Sequence, residues 1–125
     1  MKVWRDFVDE FMRVDFLKST INEFFDDWGE GGPMTVLFSS MGKRIVSQFN
    51  DFRDDDLILI FNSIELAMIE GDAALKSLVA TGILEAIYSK AHDDVLLWRR
   101  INGWLGQESR RYLVEWGRWA QQERD

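Results

Sequence analysis

Apolar residues recur at steps of three and four along almost the whole chain, and no stretch alternates with a period of two. That spacing puts side chains on one face of an α-helix, so helices are predicted throughout and strands nowhere. Phe7, Val8, Phe11 and Val14 line one face of a first segment, with Arg5, Asp6, Asp9, Glu10 and Arg13 opposite. After a break near Asp15 the stripe resumes with Leu17, Ile21, Phe24, Phe25 and Trp28. The run Gly29-Glu30-Gly31-Gly32-Pro33 ends it, because glycines suit left-handed caps and proline cannot continue the hydrogen-bond ladder. Met34 opens the next helix, with Pro33 suited to its first turn, and Phe38, Met41, Ile45, Phe49 and Phe52 share one face.

Asp54-Asp55-Asp56 marks the following boundary. Aspartates there can accept hydrogen bonds from free backbone N–H groups and complement the positive helix end. Leu57 to Glu70 is apolar around most of its circumference, which predicts the central helix. Beyond the turn at Gly71-Asp72, Leu75, Leu78, Val79, Gly82 and Ala86 form the next face, flanked by Ile83 and Ile87. Gly82 is a place for a neighbouring helix to approach closely. Asp93 or Asp94 opens a short segment through Ile101, which Gly103 and Gly106 interrupt. The last helix runs from Gln107 to about Arg124, with Tyr112, Leu113, Trp116, Trp119 and Ala120 facing in and Arg111, Glu115 and Arg118 facing out. The expected fold class is all-α: one domain over residues 1–125, a compact bundle of five to seven helices joined by short turns, with antiparallel neighbours. Residues 57–70 and 75–90 have similar lengths and each carries a glutamate amid apolar neighbours, a hint of stacked helix pairs.

Composition narrows the class. A chain of 125 residues with 46% hydrophobic and 30% charged side chains can bury a core and is no disordered tail. There is no cysteine and one histidine, His92, so disulfides, thiolate metal sites and histidine clusters are excluded. The opening MKVWRDFVDEF has no uninterrupted apolar stretch of a secretory signal. The apolar run from Leu57 is cut by Glu65 and Glu70 well short of the ~20 residues a membrane span needs. A cytoplasmic location without membrane contact is expected. The net charge of −7 is uneven: residues 1–72 hold 15 acidic and 7 basic side chains, residues 73–125 hold 7 and 8. An acidic surface repels phosphate backbones, which disfavours nucleic acid, and attracts basic proteins.

Two carboxylates stand out. Glu65 in SIELAM and Glu85 in ILEAIY sit where an unpaired charge is costly. One reading pairs them on facing helices as acid/base groups or metal ligands, but a di-metal bundle expects Glu-x-x-His motifs and there are none. The other reading makes them structural buried carboxylates that accept hydrogen bonds from Arg, Tyr, Trp or a helix end. Asp54-Asp55-Asp56 lacks the alternating ligands, glycine and terminal glutamate of a calcium loop. His92 in SKAHDD reads as a helix-end cap. Gly29 to Gly32 lacks the Lys-Ser/Thr of a phosphate loop. Arg99-Arg100 and Arg110-Arg111 have no interleaved exposed aromatics to bind nucleic acid, and Trp98 and Trp104 read as core. No nucleophile, base and oxyanion site assemble, so neither an enzyme nor a cofactor is expected.

Phe61-Asn62-Ser63-Ile64-Glu65, Glu70-Gly71-Asp72, Thr81-Gly82-Ile83-Leu84-Glu85 and Leu105-Gly106-Gln107-Glu108-Ser109-Arg110-Arg111-Tyr112 together carry a resemblance. This pattern of F-x-x-I-E, G-D, T-x-x-L-E and L-G-x-E-S-x-x-Y, over roughly residues 57–115, resembles a family of small all-helical bacterial proteins of the polymorphic-toxin immunity type. The resemblance implies structural roles for Glu65, Glu85, Gly106 and Tyr112, and a capping role for Ser109. It implies a function too: neutralising a cognate protein toxin by stoichiometric binding, with acidic character suited to a basic toxin. The alternative is a helical adaptor or regulatory subunit of another complex. On either reading the expected contact surface is Asp26, Asp27, Glu30, Asp51, Asp54, Asp55 and Asp56.

Overall fold

The computed structural model describes the backbone of residues 3–124 and the side chains of residues 3–117. Among the described residues the fold is compact and all-α, with seven helices and no strand. Helix α1 spans Trp4–Phe11, α2 Asp15–Trp28, α3 Met34–Ser47 and α4 Asp54–Glu70. Helix α5 runs continuously over residues 73–91, with α-helical ends at Ala73–Ser77 and Glu85–Ala91 and a π-helical middle at Leu78–Leu84. Helices α6 (Val95–Trp104) and α7 (Gln107–Arg124) complete the chain. No described helix is long and apolar enough to cross a membrane.

The boundaries have local causes. Asp72 caps α5 by accepting from the Leu75 N–H at 2.8 Å, and Asp94 caps α6 by accepting from the Leu97 N–H at 3.1 Å. Gly29, at φ 67°, ends α2 in a conformation that L side chains rarely adopt. Three boundaries differ from expectation. Asp54, Asp55 and Asp56 form the first turn of α4 behind Arg53, with no side-chain cap bond, so they act through charge at the helix end alone. Helix α3 stops at Ser47, and Phe49 enters the core from a 3-10 turn over Phe49–Asp51, with Phe52 just beyond. The tighter turn keeps both rings inward while the chain reverses towards α4. Gly103 lies inside α6, and the break falls at Leu105, whose backbone is extended.

Buried side chains from Phe7 to Leu113 form one cluster. A close seam joins α3 to α5, where a Cβ on Gly82 would lie 2.6 Å from Phe38 Cβ and one on Gly42 would lie 2.7 Å from the Ile83 carbonyl oxygen. Gly82 thus permits the close approach read from the sequence, and Gly42 supplies its counterpart. The paired positions rise together along both helices, so α3 and α5 run the same way, with α4 between them in sequence. The seam also shows that α5 does not form a self-contained pair with α4. Helix α4 packs against α1, α5, α6 and α7, as a central helix should. Its apolar circumference is not all covered, because Ile58, Leu66 and Ile69 remain 48%, 43% and 54% exposed.

Candidate functional site

The acidic residues expected to meet a partner divide into two groups. Asp26, Asp27 and Glu30 lie at the C-terminal end of α2 and in the loop after it, all exposed. Asp51, Asp54 and Asp55 are exposed at the start of α4, and Asp56 is half-buried with its carboxylate 3.8 Å from Arg53. The second group neighbours the opposite end of α2, where the Phe16 ring packs edge-on against Phe52 at 5.4 Å. Ten residues of helix separate Phe16 from Asp26, or about 15 Å. The seven carboxylates are therefore two patches rather than one.

Each patch adjoins exposed apolar surface. Asp55, Ile58, Asn62, Leu66 and Ile69 follow at steps of three and four, so they share the outer face of α4. Among the described residues this face has no helix over it, and the aspartates mark one end. At the α2 patch, Asp27 and Trp28 border a groove between α2 and α3, and Trp28 is 55% exposed. Glu30 borders a different hollow, with Arg5 and Phe25 between α1 and α2. The sequence reading missed the exposed aliphatics of α4, since apolar residues on every side of a helix read as complete burial.

Glu65 and Glu85 are half-buried rather than enclosed, and both engage α7. Glu65 accepts from the Glu108 N–H at 2.8 Å, the Ser109 N–H at 3.1 Å and the Ser109 hydroxyl at 2.8 Å. It does so at the helix start, where free N–H groups and the positive dipole end favour a carboxylate. Gly106 makes this possible, because a Cβ there would collide with the Glu65 carboxylate. Ser109 is not the cap of α7: it lies within the helix, fully buried, as a donor to Glu65. One turn further on, the Tyr112 hydroxyl donates to Glu85. Burial first, then that hydrogen bond and the Glu85 charge, push the Tyr112 hydroxyl well above the usual tyrosine range. The two carboxylates thus grip successive turns of one helix. Trp116, expected on the inner stripe of α7, packs edge-on against Tyr88 at 5.3 Å. Trp119, Ala120 and Arg118 lie outside the described side chains.

The π-helical segment borders a hollow of about 420 Å³ whose lining includes Ser39, Lys43, Thr81, Glu85, Lys90 and Trp116. Glu85 is thus both an anchor and part of a wall. His92 ends α5, with Nδ1 2.9 Å from the Tyr88 carbonyl oxygen, Nε2 3.0 Å from Asp93 and its ring stacked on Tyr88. Trp98 meets Tyr88 edge-on and Trp104 stacks on Phe61, both packed against the core. Among the described residues no three histidine, aspartate or glutamate side chains converge as a metal site.

Fold and surface together define an all-helical protein with half-buried carboxylate anchors and an acidic, partly apolar exterior. The chain belongs to the family described as Domain of unknown function (DUF7674), which matches residues 14–122. The matched residues take in α2 to α6 and most of α7. No curated protein and no solved structure matches the chain.

Proposed function

We propose that this protein neutralises a bacterial protein toxin by stoichiometric binding, taking a basic toxin on its acidic N-terminal half. One observation carries the reading: the outer face of α4 presents Ile58, Leu66 and Ile69 to solvent with Asp54 and Asp55 at its end. Exposed aliphatics beside charge are the makings of a docking face, in which apolar contact holds a partner and carboxylates steer it in. The resemblance to immunity-type proteins supports the toxin as the partner. Such an inhibitor acts by covering an active site or a substrate path, and it needs no chemistry of its own.

Co-expression with the toxin encoded beside this protein tests the proposal. Growth is restored by the native chain and lost again with Ile58→Asp plus Leu66→Asp, while helix content stays unchanged. Asp54→Lys plus Asp55→Lys slows association and weakens its dependence on salt. A harmless neighbour, or toxicity that persists beside a folded native copy, rejects the toxin. Co-purification with housekeeping machinery in the absence of any toxin favours the adaptor or regulatory subunit instead.

A further inference from the structure

We propose that the groove between α2 and α3 is a receptor for one arginine side chain of a protein partner. The inference rests on reading the protein as a binder of basic proteins, and it adds the group that is recognised and the place.

The chemistry comes from α2. Glu23 and Asp27 are four residues apart, so their carboxylates lie one above the other on the side facing α3. Both are exposed, and among the described residues neither is paired with a cation. Trp28 follows at the rim, 55% exposed, with its ring stacked on Phe24 at 6.3 Å. Its position is set from behind. Gly32 passes so close that a Cβ there would lie 2.5 Å from Trp28 Cβ and 2.8 Å from Phe24 Cζ. The loop therefore closes against the base of the indole while the ring stands beside the carboxylates.

The remaining lining is small. The Thr20 hydroxyl donates to the Phe16 carbonyl at 3.1 Å and so offers lone pairs to a donor, and Val36 on α3 is exposed. Among the described residues no basic side chain lines the groove. At about 270 Å³ it suits one long side chain rather than a drug-sized ligand, whose pockets run from about 300 Å³ upwards. A planar cation meets every part of this lining: carboxylates take its N–H groups in pairs, the indole face takes its flat side and the apolar wall takes its stem. A lysine ammonium would use the charge but neither the plane nor the paired donors.

The test needs no partner protein. A capped five-residue peptide with a single arginine among glycine and serine is titrated into the full chain, and the tryptophan indole N–H signals are followed by NMR. Trp28→Phe identifies the Trp28 signal. The expected result is a saturable shift of that signal, roughly tenfold weaker binding for the lysine and citrulline peptides, and a similar loss with Glu23→Gln plus Asp27→Asn. Both substitutions are at exposed positions, and an unchanged helical circular dichroism spectrum confirms the fold. A lysine or citrulline peptide that binds as tightly as the arginine one overturns the proposal, as does a Trp28 signal that never moves. A failed growth rescue together with a positive titration would reject the toxin and keep the groove.

Discussion

Residues before the α3–α4 connection are held together by packing, whereas those after it add directed carboxylate hydrogen bonds to the same packing. In α1 to α3 aromatic pairs reinforce an aliphatic interior: Phe7 lies 4.4 Å from Phe11 and 5.4 Å from Phe38, and Phe24 meets Phe25 edge-on at 5.3 Å. The carboxylates of that part, apart from a partly shielded Glu10, are exposed. From α4 onwards, two carboxylates turn inwards and each takes a specific donor from α7. Aromatic packing is strong but tolerant of direction, whereas a half-buried carboxylate has low energy only when its donors are in place. The first part can therefore carry a dense acidic surface without disturbing its core, and the second fixes which turn of α7 meets α4 and α5.

The sharpest break of this contrast is in the aromatic part. Phe38 is fully buried, stacks on Phe7 and receives Gly82 of α5 against its Cβ. Phe38→Ala should cost about 3–5 kcal/mol, the usual range for emptying a buried phenylalanine site. Urea unfolding measures it as a lower midpoint with an unchanged slope. A loss this large is a sizeable share of the ~5–15 kcal/mol that holds a domain together.

Glu65→Ala comes next, at about 2–3 kcal/mol, because it leaves the buried Ser109 hydroxyl and two N–H groups of α7 without their acceptor. Glu65→Gln should fall between Glu65→Ala and the native chain, since one amide oxygen can still accept. Amide hydrogen exchange at Glu108 and Ser109 reports the local effect, and it should quicken more than exchange in α1 and α2. If Glu65→Ala proves costlier than Phe38→Ala, the division into a packed part and an anchored part is wrong.

Much of this was legible in the chain. Helix positions followed from three- and four-residue spacing, and the close approach at Gly82 followed from a glycine set in an apolar face. The anchoring of Glu65 by a helix end and of Glu85 by a tyrosine was among the options that burial cost alone dictates. Pairing was not legible: nothing in SIELAM says that its donor lies 43 positions on, in the first turn of α7. Phe49 and Phe52 kept the spacing of α3 after the helix had ended, because periodicity records facing and not continuity. The acidic residues were visible as letters, but their separation into two patches depends on the direction of α2. The Trp28 groove escaped for a related reason. In an apolar stripe a terminal tryptophan is indistinguishable from core, and only its place at the end of α2 leaves it uncovered.

The smallest effect tests the second anchor and has a signature in pH. Tyr112→Phe removes the hydroxyl that donates to Glu85 and should cost about 1 kcal/mol near neutrality. In the folded chain that hydroxyl holds its proton far more tightly than in the unfolded chain, where it ionises near the ordinary value of about 10. The unfolded state therefore releases a proton first as pH rises. Stability that is complete below pH ~10 should decline above it, by proton linkage. Tyr112→Phe abolishes this contribution, so its stability should fall less steeply than the native chain's between neutral pH and the alkaline range. Denaturation midpoints measured on both proteins across that range give the comparison. Parallel curves would mean that neither burial nor Glu85 holds the Tyr112 proton in solution, leaving Glu65 as the carboxylate that anchors α7.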